Sequence, residues 1–335
     1  MRWFKKLTGF PEVSPQQVRE NIIVDGETLK SHVNQKVLIC GQLEIPTLGE
    51  LRERARSSEH KIGQISVREV VANVLHLHAN ESNADSLFQV ASQFNLLEMV
   101  SPTITPERGV GIYEKDRTQG PACAIAAGAG TIYRNYFAIV NGQIGQSAKN
   151  QIDCLADIGA ALGNCESRLW TMKNGYVLAS HNGLSEISNR LRTSSESELD
   201  ELRQLLRIGI QWNAQVTLND CKHTVSQAYC SALPVAYSPH SFNLWVEFAQ
   251  LVLEASYEAT VCTAILNSVR NGNNRLFLTL LGGGAFGNKT DWIVGAIHRA
   301  LNLYKHVDLD VALVSYGSSN QYVRQLVNQY GNTKI

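Results

Sequence analysis

Four carboxylates lie close together in the sequence and are the first residues that suggest chemistry. Glu98 interrupts an apolar stretch, and Glu107, Glu114 and Asp116 belong to the segment 101–120, which shows no regular periodicity. A carboxylate beside a bound ligand can orient water as a general base or stabilise an oxocarbenium-like centre, and both roles suit cleavage of glycosidic bonds. Asp116 is the preferred candidate because it directly precedes a predicted helix start. The alternative for each is an ordinary solvated carboxylate.

A glycine-rich segment near the carboxyl end is a second candidate, for binding an anion. It consists of Gly282, Gly283, Gly284, Ala285, Phe286, Gly287 and Asn288. Glycines let backbone N–H groups approach an anion with no Cβ in the way, at the positive end of the next helix. Phe286 is placed to stack on a sugar or base, and Asn288 to hydrogen-bond. The spacing matches neither of the two common phosphate-loop motifs, so a plain turn is the alternative.

A third candidate is the predicted helix that opens at Pro121. Free N–H groups at Thr118, Gln119 and Gly120 would face an anion at its start. Further along, the Tyr-Arg-Asn-Tyr segment 133–136 predicts either a phosphate clamp or buried core aromatics.

The elements around the glycine segment predict an α/β fold. A buried strand at 225–234 is followed by a long helix at 242–269, a strand at 275–281, a helix at 292–301 and a strand at 310–316. Parallel strands joined by helices place ligands at the carboxyl edge of the sheet. The glycine segment is therefore expected at that edge.

Other segments give weaker or more local predictions. Apolar spacing from 84 to 94 favours a helix, as does that of 151–162, and an amphipathic pattern predicts a helix over 195–212. The Asn174-Gly175 pair inside 168–179 is typical of a hairpin with a type I′ turn.

Residues 1–80 are predicted to form a small N-terminal domain or extension. A strand is expected at 36–44, and Thr47 with Glu50 forms a capping-box pattern before a short helix. The segment 65–78 mixes strand and helix patterns and receives no assignment. Residues 81–335 are then expected to form the ligand-binding domain.

Composition limits the classes of function. The 335 residues have zero formal net charge, with 44% hydrophobic and 18% charged residues. This is typical of a globular protein and gives no electrostatic case for nucleic acid or an acidic membrane surface. No segment approaches the roughly 18 apolar residues of a spanning helix, and the opening residues lack a signal-peptide core. A cytoplasmic protein is expected.

The cysteines and histidines do not predict a metal site. Seven cysteines are scattered without Cys-x-x-Cys spacing and suit buried thiols in a reducing compartment. Cys123 and Cys230 lie near candidate site segments, but no histidine can be paired with them, which disfavours a thiol nucleophile. We expect no metal and no cofactor.

Two motifs resemble known families. The Leu-Gly-Gly-Gly-Ala-Phe-Gly-Asn segment 281–288, with its helix and the strand at 310–317, resembles the closing βαβ unit of macrodomains, especially the poly(ADP-ribose) glycohydrolase branch. Residues 94–102 (Phe-Asn-Leu-Leu-Glu-Met-Val-Ser-Pro) and 116–124 (Asp-Arg-Thr-Gln-Gly-Pro-Ala-Cys-Ala) are shared with an uncharacterised group. That group is similar to a bacterial effector macrodomain that removes ADP-ribose from arginine of ubiquitin.

The resemblance implies a three-layer α/β/α macrodomain-like fold with a mixed sheet, and specific roles for residues. Gly282 to Gly287 would contact the diphosphate and distal ribose, and Asn95 would lie near that ribose. Glu98, Glu107 and Asp116 would correspond to the acidic set of the effector-like branch. The glycohydrolase signature, three glycines followed closely by Gln-Glu-Glu, is absent from 95–119, so the resemblance does not carry over the catalytic acid.

The sequence thus predicts an ADP-ribosyl hydrolase that cleaves ADP-ribose from protein side chains. One expected partner is ubiquitin that carries ADP-ribose on an arginine. Water would attack C1″ of the distal ribose, oriented by Asp116, Glu107 or Glu98. Two alternatives stay open: a module that binds ADP-ribose without hydrolysing it, and a hydrolase of another nucleotide-sugar.

Overall fold

The structure is a computed structural model and describes residues 2–331. Met1 and residues 332–335, the end of the predicted ligand-binding domain, lie outside the described residues.

Residues 2–331 contain fourteen β-strands. They are β1 (Ile22–Asp25), β2 (Thr28–Ser31), β3 (Val37–Ile39), β4 (Gln42–Glu44), β5 (Ser66–Val71), β6 (Leu87–Ala91), β7 (Ile139–Val140), β8 (Gln143–Ile144), β9 (Trp170–Lys173), β10 (Tyr176–Ala179), β11 (Gly209–Gln215), β12 (Thr224–Cys230), β13 (Arg275–Leu278) and β14 (Asp310–Ser315).

The same residues contain twelve α-helices. They are α1 (Arg2–Thr8), α2 (Pro15–Asn21), α3 (Leu48–Ser57), α4 (Val74–Ala79), α5 (Gln119–Ala126), α6 (Gly128–Tyr136), α7 (Ala156–Leu162), α8 (His181–Thr193), α9 (Glu196–Gln204), α10 (Val246–Asn271), α11 (Thr290–Leu303) and α12 (Gln321–Gly331). Short 3₁₀ turns lie between them, including Pro106–Arg108 and Gly111–Lys115.

Seven strands form one mixed sheet in the order β4-β11-β12-β6-β13-β14-β5. The five strands from β12 to β5 run parallel to one another, whereas β11 is antiparallel to both of its neighbours. The carboxyl ends of five strands therefore meet at one edge. This arrangement confirms the predicted α/β class with a mixed sheet.

Helices cover both faces of this sheet, as side chains of the central strand β6 show. The ring of Phe88 stacks on His78 of α4, whereas Gln89, the next residue, donates a hydrogen bond to Thr260 of α10 at 3.0 Å. Successive strand residues point to opposite faces, so α4 and α10 lie on opposite sides. The result is the three-layer α/β/α arrangement that was expected.

Strand β6 replaces the helix predicted over 84–94. Its residues Leu87 to Val90 are all buried. A parallel strand covered on both faces carries a nearly continuous apolar run, which also satisfies helical spacing. The helix prediction was therefore wrong, and the segment is a central strand that ends at the functional edge.

The amphipathic helix predicted over 195–212 ends early. Ser195 and Glu198 form a capping box at the start of α9, but the helix stops at Gln204, and residues from Gly209 form β11. Strand β11, which contains Trp212 and is buried at nearly every position, pairs with β4 and β12, so tertiary pairing overrides the local pattern.

Several local signals elsewhere were reliable, whereas the helix expected over 151–162 begins only at Ala156, and the strand expected at 36–44 is divided into β3 and β4. Asn174 and Gly175 join β9 to β10 in an antiparallel hairpin with both residues at positive φ, as predicted. Thr47 and Glu50 form the predicted capping box of α3. Strands β12, β13 and β14 and helices α10 and α11 lie where the sequence placed them, with helix ends shifted by a few residues.

Strands on both sides of residue 80, where the sequence predicted a domain boundary, belong to the same seven-stranded sheet. β4 and β5 supply both edge strands of the main sheet. Phe4, Val18 and Leu29 belong to a second buried apolar cluster with Leu97 and Tyr113. The N-terminal residues thus pack directly against the segments that carry the candidate carboxylates.

Three stacked rings, one of them a buried histidine, lie on the α4 face of the sheet. His78 lies 3.8 Å from Phe88, which lies 4.4 Å from Phe277 (ring centroids). The imidazole Nδ1 bonds to Val74 O, and the Gln227 amide Nε2 lies 3.1 Å from Nε2. Burial lowers the pKa of His78 from 6.5 to about 4, so the folded protein holds it neutral.

We therefore expect stability to fall in acid. The unfolded chain takes up a proton on His78 near pH 6.5, but the folded chain resists until about pH 4. The free energy of unfolding should drop by about 3 kcal/mol over that window because of this one residue. Denaturant titrations at several pH values give the free energy of unfolding as a function of pH. Between pH 6.5 and 4 this free energy should fall less steeply with decreasing pH in His78→Gln than in the native chain. Replacing exposed His306 with Gln is the control; an unchanged slope in His78→Gln would contradict the prediction.

Candidate functional site

A cleft of about 790 Å³ opens at the carboxyl edge of the parallel strands. Its walls come from the segments that follow β5, β6, β13 and β14, together with the start of α5. Two loops that the sequence singled out, the glycine segment and the acidic loop, both line it. Residues about 160 positions apart in the chain thus share one site.

The glycine segment forms a tight loop between β13 and α11. Gly283 N–H bonds to Leu280 O at 3.1 Å, Gly287 N–H to Gly284 O at 3.0 Å, and Asn288 N–H to Gly282 O at 2.9 Å. Within the described residues, the N–H groups of Gly284, Ala285 and Phe286 have no protein acceptor, and these three residues line the cleft. Consecutive free N–H groups form a concave site suited to an anion.

Gly282 has to be glycine for this loop to close. Its φ is +74°, and a Cβ at this position would overlap the Cβ of Ala232 and lie 2.8 Å from the Asn288 amide nitrogen. The Asn288 side chain in turn donates to Leu233 O at 2.8 Å. Asn288 is therefore buried under the loop and shapes it; it is not among the residues that line the cleft.

The opposite wall is built where the acidic loop runs into α5. The Asp116 carboxylate accepts a hydrogen bond from Thr118 N–H at 2.8 Å, which turns the chain into the helix. Gln119 reaches back to β6, accepting from Ala91 N–H and donating to Gln89 O. Asp116, Thr118, Gln119 and Gly120 all line the cleft.

Glu98 is the most unusual group in the cleft. Its side chain is 3% exposed, and no described residue donates a hydrogen bond to Oε1. Burial raises the pKa of Glu98 well above 4.5; nearby Asp116 raises it further, and Arg134 opposes the shift. A buried, unpaired carboxyl with a raised pKa is suited to act as a general acid.

Gly120 brings the start of α5 against this carboxyl. A Cβ on Gly120 would overlap both Ala91 O and Glu98 Oε2. Only glycine allows this close approach, so the helix start, the end of β6 and the Glu98 carboxyl form one compact corner of the cleft.

The segment that carries Glu98 is held by many buried hydrogen bonds. Leu96 lies in the left-handed region, with φ of +63°. The Gln93 side chain accepts from Met99 N–H at 2.8 Å, and Tyr176 Oη donates to Met99 O at 2.6 Å. Tyr113 Oη accepts from Glu98 N–H at 2.9 Å. A strained loop fixed this heavily is typical of a preorganised functional site.

Arg134 lies behind this segment as a buried cation. It is 1% exposed, stacks over the Tyr229 ring at 3.6 Å, and donates to Leu96 O at 3.3 Å. No carboxylate lies within ion-pair distance of it in the described part of the chain. Arg134, Asn135 and Tyr136 are thus core residues, and the phosphate clamp considered for 133–136 is not formed.

Three aromatic rings form one wall of the cleft. Phe286 lies 5.4 Å from Tyr176 and 5.7 Å from Tyr237, and the two tyrosine rings are 5.2 Å apart. Only Phe286 was anticipated. Tyr176 and Tyr237 come from distant segments, and nothing in the local sequence marks them as cleft residues.

Two further predicted site residues lie elsewhere. Asn95 is fully buried, and its side chain donates to Gln151 at 2.8 Å and accepts from Leu97 N–H at 3.2 Å. Glu107 is exposed, and its carboxylate accepts from Ala148 N–H at 2.8 Å. Neither residue lines the cleft. Gly283 and Gly287 do not line it either; their N–H groups form hydrogen bonds within the glycine loop. Asn95 supports the Glu98 segment from behind.

The cysteines and titratable clusters suggest no other chemistry at this edge. All seven cysteines are free, and burial raises the pKa of the Cys123 thiol well above 9. Within residues 2–331, no group of three or more His, Cys, Asp or Glu residues is arranged to hold a metal ion. No helix in the described chain is long and apolar enough to cross a membrane.

Comparison with known proteins gives likenesses only among solved structures. No protein-family model matches the chain, and no curated protein matches it. The chain is similar to poly(ADP-ribose) glycohydrolase from Deinococcus radiodurans in complex with ADP-ribose, with a TM-score of 0.46 and 10% identity over 88% of this chain and 95% of that one. It is also similar to the Thermomonospora curvata enzyme, with a TM-score of 0.46 and 11% identity over 94% and 95% of the two chains. The latter enzyme bound to the inhibitor ADP-HPD gives a TM-score of 0.44 at 11% identity, with the same coverage.

Proposed function

We propose that the chain is an ADP-ribosyl hydrolase that removes ADP-ribose from modified protein side chains. The observation that carries the proposal is a single cleft lined both by the buried, unpaired Glu98 carboxyl and by the glycine-loop residues Gly284, Ala285 and Phe286, whose N–H groups are free. Its volume of about 790 Å³ lies in the range of pockets that enclose a small ligand.

The glycine loop accounts for recognition of a diphosphate. The N–H groups of Gly284, Ala285 and Phe286 supply backbone donors for its oxygens. The aromatic wall of Phe286, Tyr176 and Tyr237 offers flat surfaces for a ribose or base. A diphosphate joined to ribose and a base, as in ADP-ribose, matches both features.

Glu98 and Asp116 account for bond cleavage. The protonated Glu98 donates its proton to the leaving nitrogen or oxygen as the bond from C1″ to the protein side chain breaks. A water molecule, oriented by the Asp116 carboxylate, attacks C1″ and gives up a proton to that carboxylate. The products are free ADP-ribose and the unmodified side chain. Pairing a carboxylic acid with a carboxylate in one cleft is the standard arrangement for glycosidic cleavage.

A protein substrate is favoured by the mouth of the cleft. Tyr316, at the rim, is 80% exposed, and Tyr237 and Val100 are 39% and 57% exposed. Exposed apolar side chains around a ligand site are typical of surfaces that contact another protein. We propose arginine-linked ADP-ribose, with ubiquitin as a first carrier to test, and a cytoplasmic location.

Two assays on the native chain test the proposal. Calorimetric titration with ADP-ribose, AMP, NAD and UDP-glucose should show ADP-ribose binding best. Release of labelled ADP-ribose should occur from at least one of arginine-, serine- or glutamate-linked carrier proteins, including ubiquitin. ADP-ribose binding with no release from any carrier would identify a binding module, and a preference for another nucleotide would show that the ligand is different.

A further inference from the structure

An acidic side chain from the N-terminal segment is buried against the acidic loop. Glu12 is 8% exposed. Its Oε1 accepts from Val110 N–H at 2.9 Å and from Tyr136 Oη at 2.6 Å, and its Oε2 accepts from Gly111 N–H at 2.6 Å. Within residues 2–331 no cation pairs with this carboxylate. All of its partners are neutral donors, and two belong to the loop.

The two backbone donors lie at the start of the 3₁₀ turn Gly111–Lys115. Glu12 therefore caps this turn from another part of the chain, since the first N–H groups of a helical turn lack internal acceptors. Gly109 makes room for the contact: its φ is +86°, and an added Cβ would lie 2.5 Å from the Glu12 carboxyl carbon. The fit between Glu12 and this loop is thus specific.

The capped turn connects Glu12 to both cleft carboxyls. Tyr113, inside the turn, accepts from Glu98 N–H at 2.9 Å through its hydroxyl. Asp116, directly after the turn, donates its N–H to Tyr113 O at 3.1 Å. A displacement of the turn would move the contact to Glu98 and the position of Asp116 together.

The surrounding packing points the same way. Leu97 and Met99, the neighbours of Glu98, share a buried apolar cluster with Phe4 and Phe10 of the N-terminal segment. In addition, Trp3 lines the cleft itself. The N-terminal segment therefore packs against the segment that carries Glu98 and contributes to the cleft wall.

We propose that Glu12 is a positioning residue that sets the geometry of Glu98 and Asp116 by clamping the 109–116 turn. The proposal rests on the proposed hydrolase function. Glu12 does not line the cleft, so its effect acts on the rate of bond cleavage and leaves the glycine loop and its ligand contacts unchanged.

Glu12→Gln is the test variant. It keeps size and shape but turns one acceptor oxygen into an NH₂ group, which then faces an N–H or O–H donor. We expect kcat for ADP-ribose release to fall about tenfold or more, with KM changed less than about twofold. Calorimetric titration with ADP-ribose counts the folded sites, so the loss can be expressed per binding-competent molecule. Glu20→Gln, an exposed position in the same N-terminal segment, is the matched control and should behave as the native chain.

A second readout does not depend on activity. Hydrogen exchange followed by mass spectrometry should show faster exchange at 109–116 in Glu12→Gln, with 282–288 unchanged. Tyr136→Phe removes one of the three donors to Glu12 and should give a smaller change of the same kind; it decides the question if Glu12→Gln does not fold. Unchanged exchange and unchanged kcat in the folded variant would overturn the proposal. If the native chain releases no ADP-ribose, the hydrolase function fails, and the exchange data alone judge the clamp.

Discussion

Glu98→Gln is expected to slow ADP-ribose release by a factor of about 10²–10⁴, the usual contribution of a positioned proton donor. The affinity for free ADP-ribose should change little, because the diphosphate and aromatic contacts come from other residues. Glutamine fills the same volume but cannot transfer a proton to the leaving atom. Single-turnover release from a labelled carrier protein, together with calorimetric titration of ADP-ribose, measures both quantities.

The pH dependence gives this prediction a distinct signature. Burial raises the pKa of Glu98, so the protonated form, which the mechanism requires, persists above the usual range of a carboxylic acid. The rate should therefore fall as pH rises through that raised pKa, and this decline should be absent from the residual activity of Glu98→Gln. A native rate that instead increases through this range would mean that Glu98 acts as a base.

Two substitutions serve as comparisons. Glu107→Gln changes a carboxylate outside the cleft that accepts from Ala148 N–H, so release should remain within about twofold of the native rate. Asp116→Asn should also lower the rate, since Asp116 lines the cleft. A native rate in Glu98→Gln combined with a large loss in Asp116→Asn would remove Glu98 from the mechanism and leave Asp116 as its catalytic carboxyl.

The parts of the fold that local chemistry determines were predictable from sequence. The Asn174-Gly175 turn, the Thr47 capping box and the glycine segment each depend on neighbours within a few positions. Strand β6 was not predictable in this way, because its apolar run is set by helices that cover it from both faces.

The sequence was sufficient to identify the two loops of the candidate site but not the burial of Glu98 between them. Asp116 and the glycine segment were found from residue types and spacing, and both line the cleft. The burial of Glu98, by contrast, results from Gly120, Tyr113 and Tyr176, which approach it from three different segments. The pKa of a carboxyl depends on such long-range packing, so it cannot be inferred from the spacing of residues in one sequence.

Gly282→Ala is expected to reduce ADP-ribose affinity at least about a hundredfold, which corresponds to roughly 2.7 kcal/mol. The added Cβ would overlap Ala232 and would force alanine into a left-handed backbone with φ near +74°. The loop must then move, which disrupts the N–H groups of Gly284 to Phe286. The same strain should lower the free energy of unfolding by roughly 1–3 kcal/mol. Calorimetry and denaturant titration measure the two effects.

Gly284→Ala, two positions further on, separates loop closure from ligand contact. No protein atom lies within 4 Å of a Cβ at Gly284, and its backbone is not left-handed, so stability should be unchanged. Because Gly284 lines the cleft, its new methyl group would occupy space beside the loop that a bound diphosphate needs, and affinity should fall about tenfold. If both glycine variants bind ADP-ribose as the native chain does, the diphosphate does not lie on this loop, and the glycines serve only as a turn.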